Sequence, residues 1–339
     1  GIGTLCSAIR DCRAVLHEAS FADDWTGAIQ GELIFALDKL VEHCTTFWTW
    51  NVPNEQIRSI FARFSLGMAW VFAEVPVIAE RCGSFESMLN STFAALQTLA
   101  RLVQPRPIRP EVLLGSAVVP PAEDRFDLVV TDPPYYQAIS YADLSDVFYV
   151  WLHRIVGDEW RSQFGTATTD KTAEIVQHMR PAKSREAERA NYEQGMYEAF
   201  VAMHKSLTEN GRVAVVFAHK DPQAWETLVA SLIRAGFVVQ ASWPIQTERV
   251  ARTRALAKAA IASSVWLVCK KRPEAARPGW GNAVLDEMRE NIGARLREYW
   301  TIGEPVSANL PVDYPLFNAP FALIRILDCD LAAAGIAKR

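Results

Sequence analysis

Apolar residues recur at helical spacing through the first hundred positions of the chain. From Ile29 onward, Leu33, Ile34, Leu37, Leu40, Val41 and Cys44 fall on one stripe. A second stripe carries Ile57, Ile60, Phe61, Phe64, Met68, Val71 and Phe72, and stops before Pro76. A third follows Ser84, a fitting N-cap with Glu86 in the first turn, through Leu89, Phe93, Leu96 and Val103. Residues 1–104 therefore read as a helical packing layer. Arg58 and Arg63, beside the second stripe, read as surface residues, with a phosphate contact as the alternative. The segment 105–110, Pro-Arg-Pro-Ile-Arg-Pro, is a stiff connector and marks a boundary.

Beyond it the pattern changes to alternating strands and helices, which predicts an α/β sheet. Glu111 to Ala117 reads as a short strand ending in Gly115-Ser116. Phe126 to Thr131 is an apolar run of the kind expected of a buried strand. Pro133 and Pro134 lack N–H groups, so that strand stops there. Tyr141 to Val156 reads as a helix packing through Leu144, Phe148, Val150, Trp151 and Leu152. Residues 157–190 are polar with few anchors, a length usually functional or mobile. A helix over Tyr192–Leu207 is expected to end on Asn210-Gly211. A strand follows at Arg212–Ala218, and a helix opened by Asp221-Pro222 runs to Gly236. Val238–Trp243 and Ser263–Lys271 are the last strands, joined by a basic connector at 246–262. Past Pro273 the order weakens, apart from a helical stretch at Asp286–Trp300. Three regions result: 1–104, 105–272 and 273–339.

Composition narrows the function classes. No apolar run reaches membrane-spanning length without charge, so no membrane contact is expected. The six cysteines are scattered and form no Cys-x-x-Cys pair, which argues against a metal or disulfide framework and fits a cytoplasmic protein. The six histidines are not spaced as metal ligands; all but His219 read as structural. The net charge of −4 argues against a protein that coats nucleic acid, so any such contact must use a local basic face. Residues 249–272 offer one: Arg249, Arg252, Arg254, Lys258, Lys270, Lys271 and Arg272, with no acidic residue between them. They either track phosphates or form a solvated loop. The stretch 166–189 is a weaker candidate, because Glu174, Glu186 and Glu188 dilute its charge.

The chemistry concentrates at Asp132-Pro133-Pro134-Tyr135. A carboxylate and an aromatic ring stand at the C-terminal end of a strand, where open α/β sheets bind ligands. Such a turn suits an exocyclic base amine, a poor nucleophile whose lone pair is delocalised into the ring. Accepting hydrogen bonds from both amine protons favours a tetrahedral nitrogen. Asp132 supplies one acceptor and the Pro133 carbonyl the other, its direction fixed by the rigid di-proline turn. Tyr135 offers a face on which an extruded base stacks, worth ~1–3 kcal/mol. The alternative is a strand ending in an ordinary turn.

These residues resemble motif IV of the amino-methyltransferases that act on adenine N6 or cytosine N4 in DNA. The likeness extends to Tyr141-Ala-Asp-Leu-Ser-Asp146, Phe148-Tyr-Val-Trp-Leu152, Val216-Phe-Ala-His-Lys220, Ser242-Trp-Pro-Ile245, Thr247-Glu248, Ala262-Ser-Ser264, Arg58 to Arg63 and Trp70-Val-Phe-Ala-Glu74. It is similar to one subgroup, the large bacterial adenine-specific methylases with an uncharacterised N-terminal domain, often beside phage-defence genes. The resemblance spans roughly residues 55–272. It implies a Rossmann-like methyltransferase sheet, S-adenosylmethionine as donor, DNA as substrate, no metal, and Asp132, Pro133, Pro134 and Tyr135 at the target base. It also implies Gly115 and Ser116 near the donor. His219 and Lys220, after a strand, touch the donor or the DNA backbone, or simply end the strand in solvent. Asp143 and Asp146 either line the pocket or favour their helix dipole.

One element of the family pattern is missing: a Phe-x-Gly-x-Gly-like donor turn followed by an acidic residue after the next strand. The sheet is therefore expected to be incomplete. The chain would be the C-terminal portion of a longer protein, half of a split enzyme, or a decayed one. Its partners would be that N-terminal segment and other defence proteins. Methylation of RNA or of a protein amide by the same fold is an alternative, as is a non-catalytic DNA-binding or assembly module.

Overall fold

The structure, a computed structural model, describes residues 1–47, 49–51, 56–58, 60–62, 67–68, 70, 77–78, 83–102, 110–135, 139–176, 185–219, 221–245 and 264–276, with 286 and 290. They form a mixed α/β protein with seven α-helices and a four-stranded mixed sheet. The chain divides into two units, Gly1–Glu111 with Ile139–Glu174, and Val112–Ala138 with Ile175–Arg339. The chain passes between the units after Glu111, Ala138 and Glu174, so residues 139–174 belong with the N-terminal helices; most of the 105–110 connector lies outside the described residues.

In the helical unit, α1 (Ile2–Glu18), α2 (Asp23–His43), α3 (Phe85–Leu102) and α4 (Tyr141–Val156) share one core. Asp23 and Asp24 in the first turn of α2 and His43 in its last turn complement the helix dipole. Its predicted stripe is buried at Ile34, Leu37, Leu40 and Val41 and meets Cys6 and Ile9 of α1. Ser84 caps α3 as expected, its Oγ accepting the Ser87 N–H at 3.3 Å. Phe93, Leu99 and Leu102 of α3 are exposed, however, so only its first turns join the core. The second predicted stripe does not form a helix where it is described. Ile57 lies in β2 (Gln56–Arg58), paired antiparallel to β1 (Thr49–Asn51), and a 3-10 turn follows at Ile60–Ala62. β-Branched and aromatic residues at Thr49, Trp50 and Ile57 favour that pairing locally.

Helix α4 forms over the predicted residues, and the polar stretch after it is better tied down than its composition suggests. Trp160 and Phe164, flanking and within the short α5 (Arg161–Phe164), pack on the helical core. Asp146 of α4 accepts bonds from the Thr169 N–H at 2.9 Å and the Thr169 hydroxyl at 2.7 Å, and pairs with Lys171 at 2.7 Å. These partners hold the Asp146 carboxyl below its ordinary pKa. Polar anchors here replace the apolar ones that a hydropathy reading looks for.

The sheet unit has the order β3-β4-β6-β5, with β3 (Phe126–Thr131), β4 (Leu207–Phe217), β5 (Phe237–Ile245) and β6 (Ser264–Lys271). β3 and β4 run parallel, while β6 lies antiparallel between β4 and β5. Helices α6 (Arg185–Ser206) and α7 (Pro222–Arg234) supply Tyr192, Met196, Phe200, Leu228 and Leu232 to a core shared with Val213, Val215, Phe217 and Leu267. Asp221 caps α7 as predicted, accepting the Gln223 N–H, with Pro222 at the first helical position. Gly236 follows at φ +91°, a conformation other residues rarely adopt.

Three expectations change in this unit. The run Phe126–Thr131 is a strand, but an edge strand rather than a buried one. Leu128 and Val130 are 58 % and 56 % exposed, and among the described residues nothing pairs with the far edge of β3. Asn210-Gly211 does not cap the preceding helix, which begins at Arg185 and ends at Ser206. The pair lies inside β4, where the register jumps from Phe126↔Leu207 to Leu128↔Arg212, so it serves an irregularity of the strand. Residues 111–117 form no strand, because no neighbour pairs with them and Val112 is 94 % exposed.

Candidate functional site

The Asp132-Pro133-Pro134-Tyr135 turn leaves β3 at its C-terminal end, level with the C-terminal end of β4, since Thr131 pairs in parallel with Val215. Asp132 is exposed and Pro133 buried, with Pro134 and Tyr135 half-buried. The strand thus delivers a carboxylate to solvent on a rigid, buried pivot. Both prolines hold φ near −65°, so the turn has few ways to relax.

Two groups brace it from below. The Tyr192 hydroxyl of α6 donates to the Pro134 carbonyl at 2.8 Å. The Tyr135 ring meets Phe217, the last residue of β4, edge to face, with centroids 5.4 Å apart and planes at 78°. Phe217 also packs against Trp225 at 4.8 Å and lies nearly parallel to His219 at 6.3 Å. The Trp225 indole N–H donates to the His219 carbonyl at 2.9 Å. The strand ends of β3 and β4 and the start of α7 are therefore joined by one aromatic group centred on Phe217.

The other predicted site residues fare differently. His219 does stand at the C-terminal end of β4. Its Nδ1 accepts the Asp221 N–H at 3.0 Å, so the ring takes part in the turn into α7. Gly115 and Ser116 sit on the segment that forms no strand. A Cβ at Gly115 would meet nothing within 4 Å, so no close approach calls for glycine there. Ser116 instead starts a turn, its carbonyl accepting the Val119 N–H at 3.1 Å. Lys220, Arg249, Arg252, Arg254 and Lys258 lie outside the described residues, as do Arg63, Thr247 and Glu248. Asp143 lies in the first turn of α4, where it favours the dipole, and Asp146 is engaged by Thr169 and Lys171.

Among the structural histidines, His153 contacts the Phe164 carbonyl at 2.6 Å. His204 packs against Phe237 at 5.2 Å, and its burial lowers its pKa. Among the described residues no group of histidines, cysteines or carboxylates is arranged to hold a metal ion, and Cys6 and Cys12 form no disulfide. No described helix is long and apolar enough to cross a membrane.

The site residues that sequence reasoning passed over are Tyr192 and Trp225, and Phe217, though part of the 216–220 stretch, was given no role. Tyr192 and Trp225 lie on helices where each reads as one more core aromatic, and their partners are fixed only by the tertiary fold. The aromatic Phe217 just before Ala218-His219 was the one available signal, since it ends the strand beside β3. Chemically, the turn offers an exposed carboxylate and a braced ring, which together can accept hydrogen bonds from an amine and stack on a flat heterocycle. Comparison of the chain with protein-family models, curated proteins and solved structures finds no match in any of the three.

Proposed function

We propose that this chain carries the target-base half of an S-adenosylmethionine-dependent DNA amino-methyltransferase acting on adenine N6. The observation that carries this reading is the exposed Asp132 carboxylate on a di-proline pivot whose Pro133 is buried, with Tyr135 braced beside it at the end of a parallel strand. Asp132 and the Pro133 carbonyl accept the two amine protons of a flipped base, and Tyr135 stacks on its ring.

The sheet order supports a Rossmann-like reading. Doubly wound sheets run 3-2-1-4-5-6, with ligands at the switch between the first and fourth strands. In this reading β3 and β4, adjacent and parallel, would be the fourth and fifth strands, while the antiparallel β6 between β4 and β5 departs from that order; among the described residues nothing pairs with the β3 edge where the first would lie. Methyl donation belongs to S-adenosylmethionine, yet the described residues do not fit a donor site. Gly115 and Ser116 are on an exposed, unpaired segment, and no glycine-rich turn follows a strand beside β3. A further strand at the β3 edge, from another segment of the protein or a partner chain, would supply it. A cytoplasmic location in a defence setting accompanies this reading, as does DNA backbone contact through the 249–272 segment.

The direct test isolates the protein from its native cells through a tag on this chain and supplies tritiated S-adenosylmethionine. Label is expected in duplex DNA, at adenine N6. Label in RNA or protein alone, or in neither, would reject the assignment. A second measurement addresses the donor side. Calorimetry of S-adenosylmethionine against the 339-residue chain is expected to show no measurable binding. Tight binding would mean that a donor site exists within the chain.

A further inference from the structure

We infer that Tyr192 is the positioning residue of the Asp132-Pro133-Pro134-Tyr135 turn. Its phenol, 2 % exposed, reaches from α6 to the Pro134 carbonyl at 2.8 Å. In sequence the two residues are far apart, so only the packing of α6 on the sheet creates the bond.

The bond acts on the group that matters. The Pro134 carbonyl and the Tyr135 N–H belong to one peptide plane, which is rigid. Pro134 already has its φ fixed by its ring. Holding its carbonyl fixes the plane that follows, and so the direction in which Tyr135 leaves the turn. Phe217 then sets the Tyr135 ring edge to face. A buried phenol must find an acceptor, and this one takes a carbonyl within the turn itself. Through this bond Tyr192 acts on the backbone of the turn. It orients the stacking face and keeps the acceptor pair from drifting, which matters because displacements near 1 Å cost heavily in a positioned reaction.

This role rests on the proposed base-binding function, but its first readout does not. In the 339-residue chain, Tyr192→Phe is expected to raise amide exchange at Tyr135 about tenfold, the loss of one hydrogen bond's restraint. The melting temperature should stay close to that of the wild type. Leu232→Val, a core change on α7, should lower the melting temperature without changing exchange at Tyr135 relative to its neighbours. In the native enzyme, Tyr192→Phe should reduce kcat about tenfold and leave the KM for S-adenosylmethionine unchanged.

Unchanged exchange at Tyr135 in Tyr192→Phe would overturn the role, whatever the activity. So would equal loosening by Leu232→Val. Should Tyr192→Phe itself melt early, the same ratio of exchange at Tyr135 to that of its neighbours still decides. A wild-type enzyme that methylates nothing would reject the functional reading and leave the structural role standing on exchange alone. Raised exchange with an unaltered kcat would overturn the positioning role and leave the bond a purely structural one.

Discussion

Asp132→Ala is expected to abolish methyl transfer to DNA while leaving the fold intact. The side chain is exposed at the end of β3. Its removal therefore costs no packing, and stability should shift by less than about 0.5 kcal/mol. Its acceptor role is different. In the proposed reaction, one amine proton of the flipped base would then lose its partner, leaving the nitrogen planar and a poor nucleophile. Loss of a group that acts in the transition state should lower kcat by on the order of a thousandfold, with DNA affinity little changed. Tyr135→Ala divides the other way. It removes a stacking face worth ~1–3 kcal/mol per base and the edge-to-face contact with Phe217, worth about 0.5–1.5 kcal/mol. Base binding should weaken and the melting temperature should fall slightly. Labelled methyl transfer and melting curves on both variants check this pair. Wild-type transfer by Asp132→Ala would remove the basis of the functional reading.

The second large effect lies in the helical unit and concerns stability. Asp38 of α2 has a buried Oδ1 that accepts no hydrogen bond. Burial pushes its carboxyl up to about 7, from an ordinary 3.8. The folded state therefore binds the proton more tightly than the unfolded chain. Below pH 3.8 this group costs nothing; between 3.8 and 7 the cost grows, and above 7 it is complete. The shift sets an upper limit of roughly 4 kcal/mol, which the partial exposure of the side chain reduces. Asp38→Asn keeps the shape and removes the charge. It should raise the melting temperature by several degrees at pH 8, and the gain should vanish as the pH falls toward 4. Thermal melts across that range decide it. A gain that is the same at both ends would mean that charge burial is not the cause.

The sequence was legible wherever a local signal and a tertiary one agreed. The stripe of α2, the Ser84 cap of α3, the Asp221-Pro222 start of α7 and the apolar strands β3 to β6 all carry their own period or punctuation. It misled where one signal served two structures. Ile57 to Phe61 has helical spacing, yet β-forming residues at Trp50 and Ile57 pair as strands. Asn210-Gly211 has the chemistry of a helix cap, yet it relieves a register jump within β4. At the candidate site, the turn itself was readable because its prolines and carboxylate are contiguous. Its supports were not, since Tyr192, Phe217 and Trp225 become neighbours of the turn only once α6 and α7 dock on the sheet.

The way β3 finds β4 has a consequence in time. Thr131 pairs with Val215, and between them the chain leaves the sheet unit to build α4 and α5 in the helical one. At about 5–20 residues per second, synthesis separates the two strands by roughly 4–17 seconds. Throughout that interval Leu128 and Val130 wait for β4, the one strand that pairs with β3 among the described residues. The turn proposed as the base pocket therefore becomes one of the last local structures to be locked, after the helices on either side of it in the sequence can already have formed.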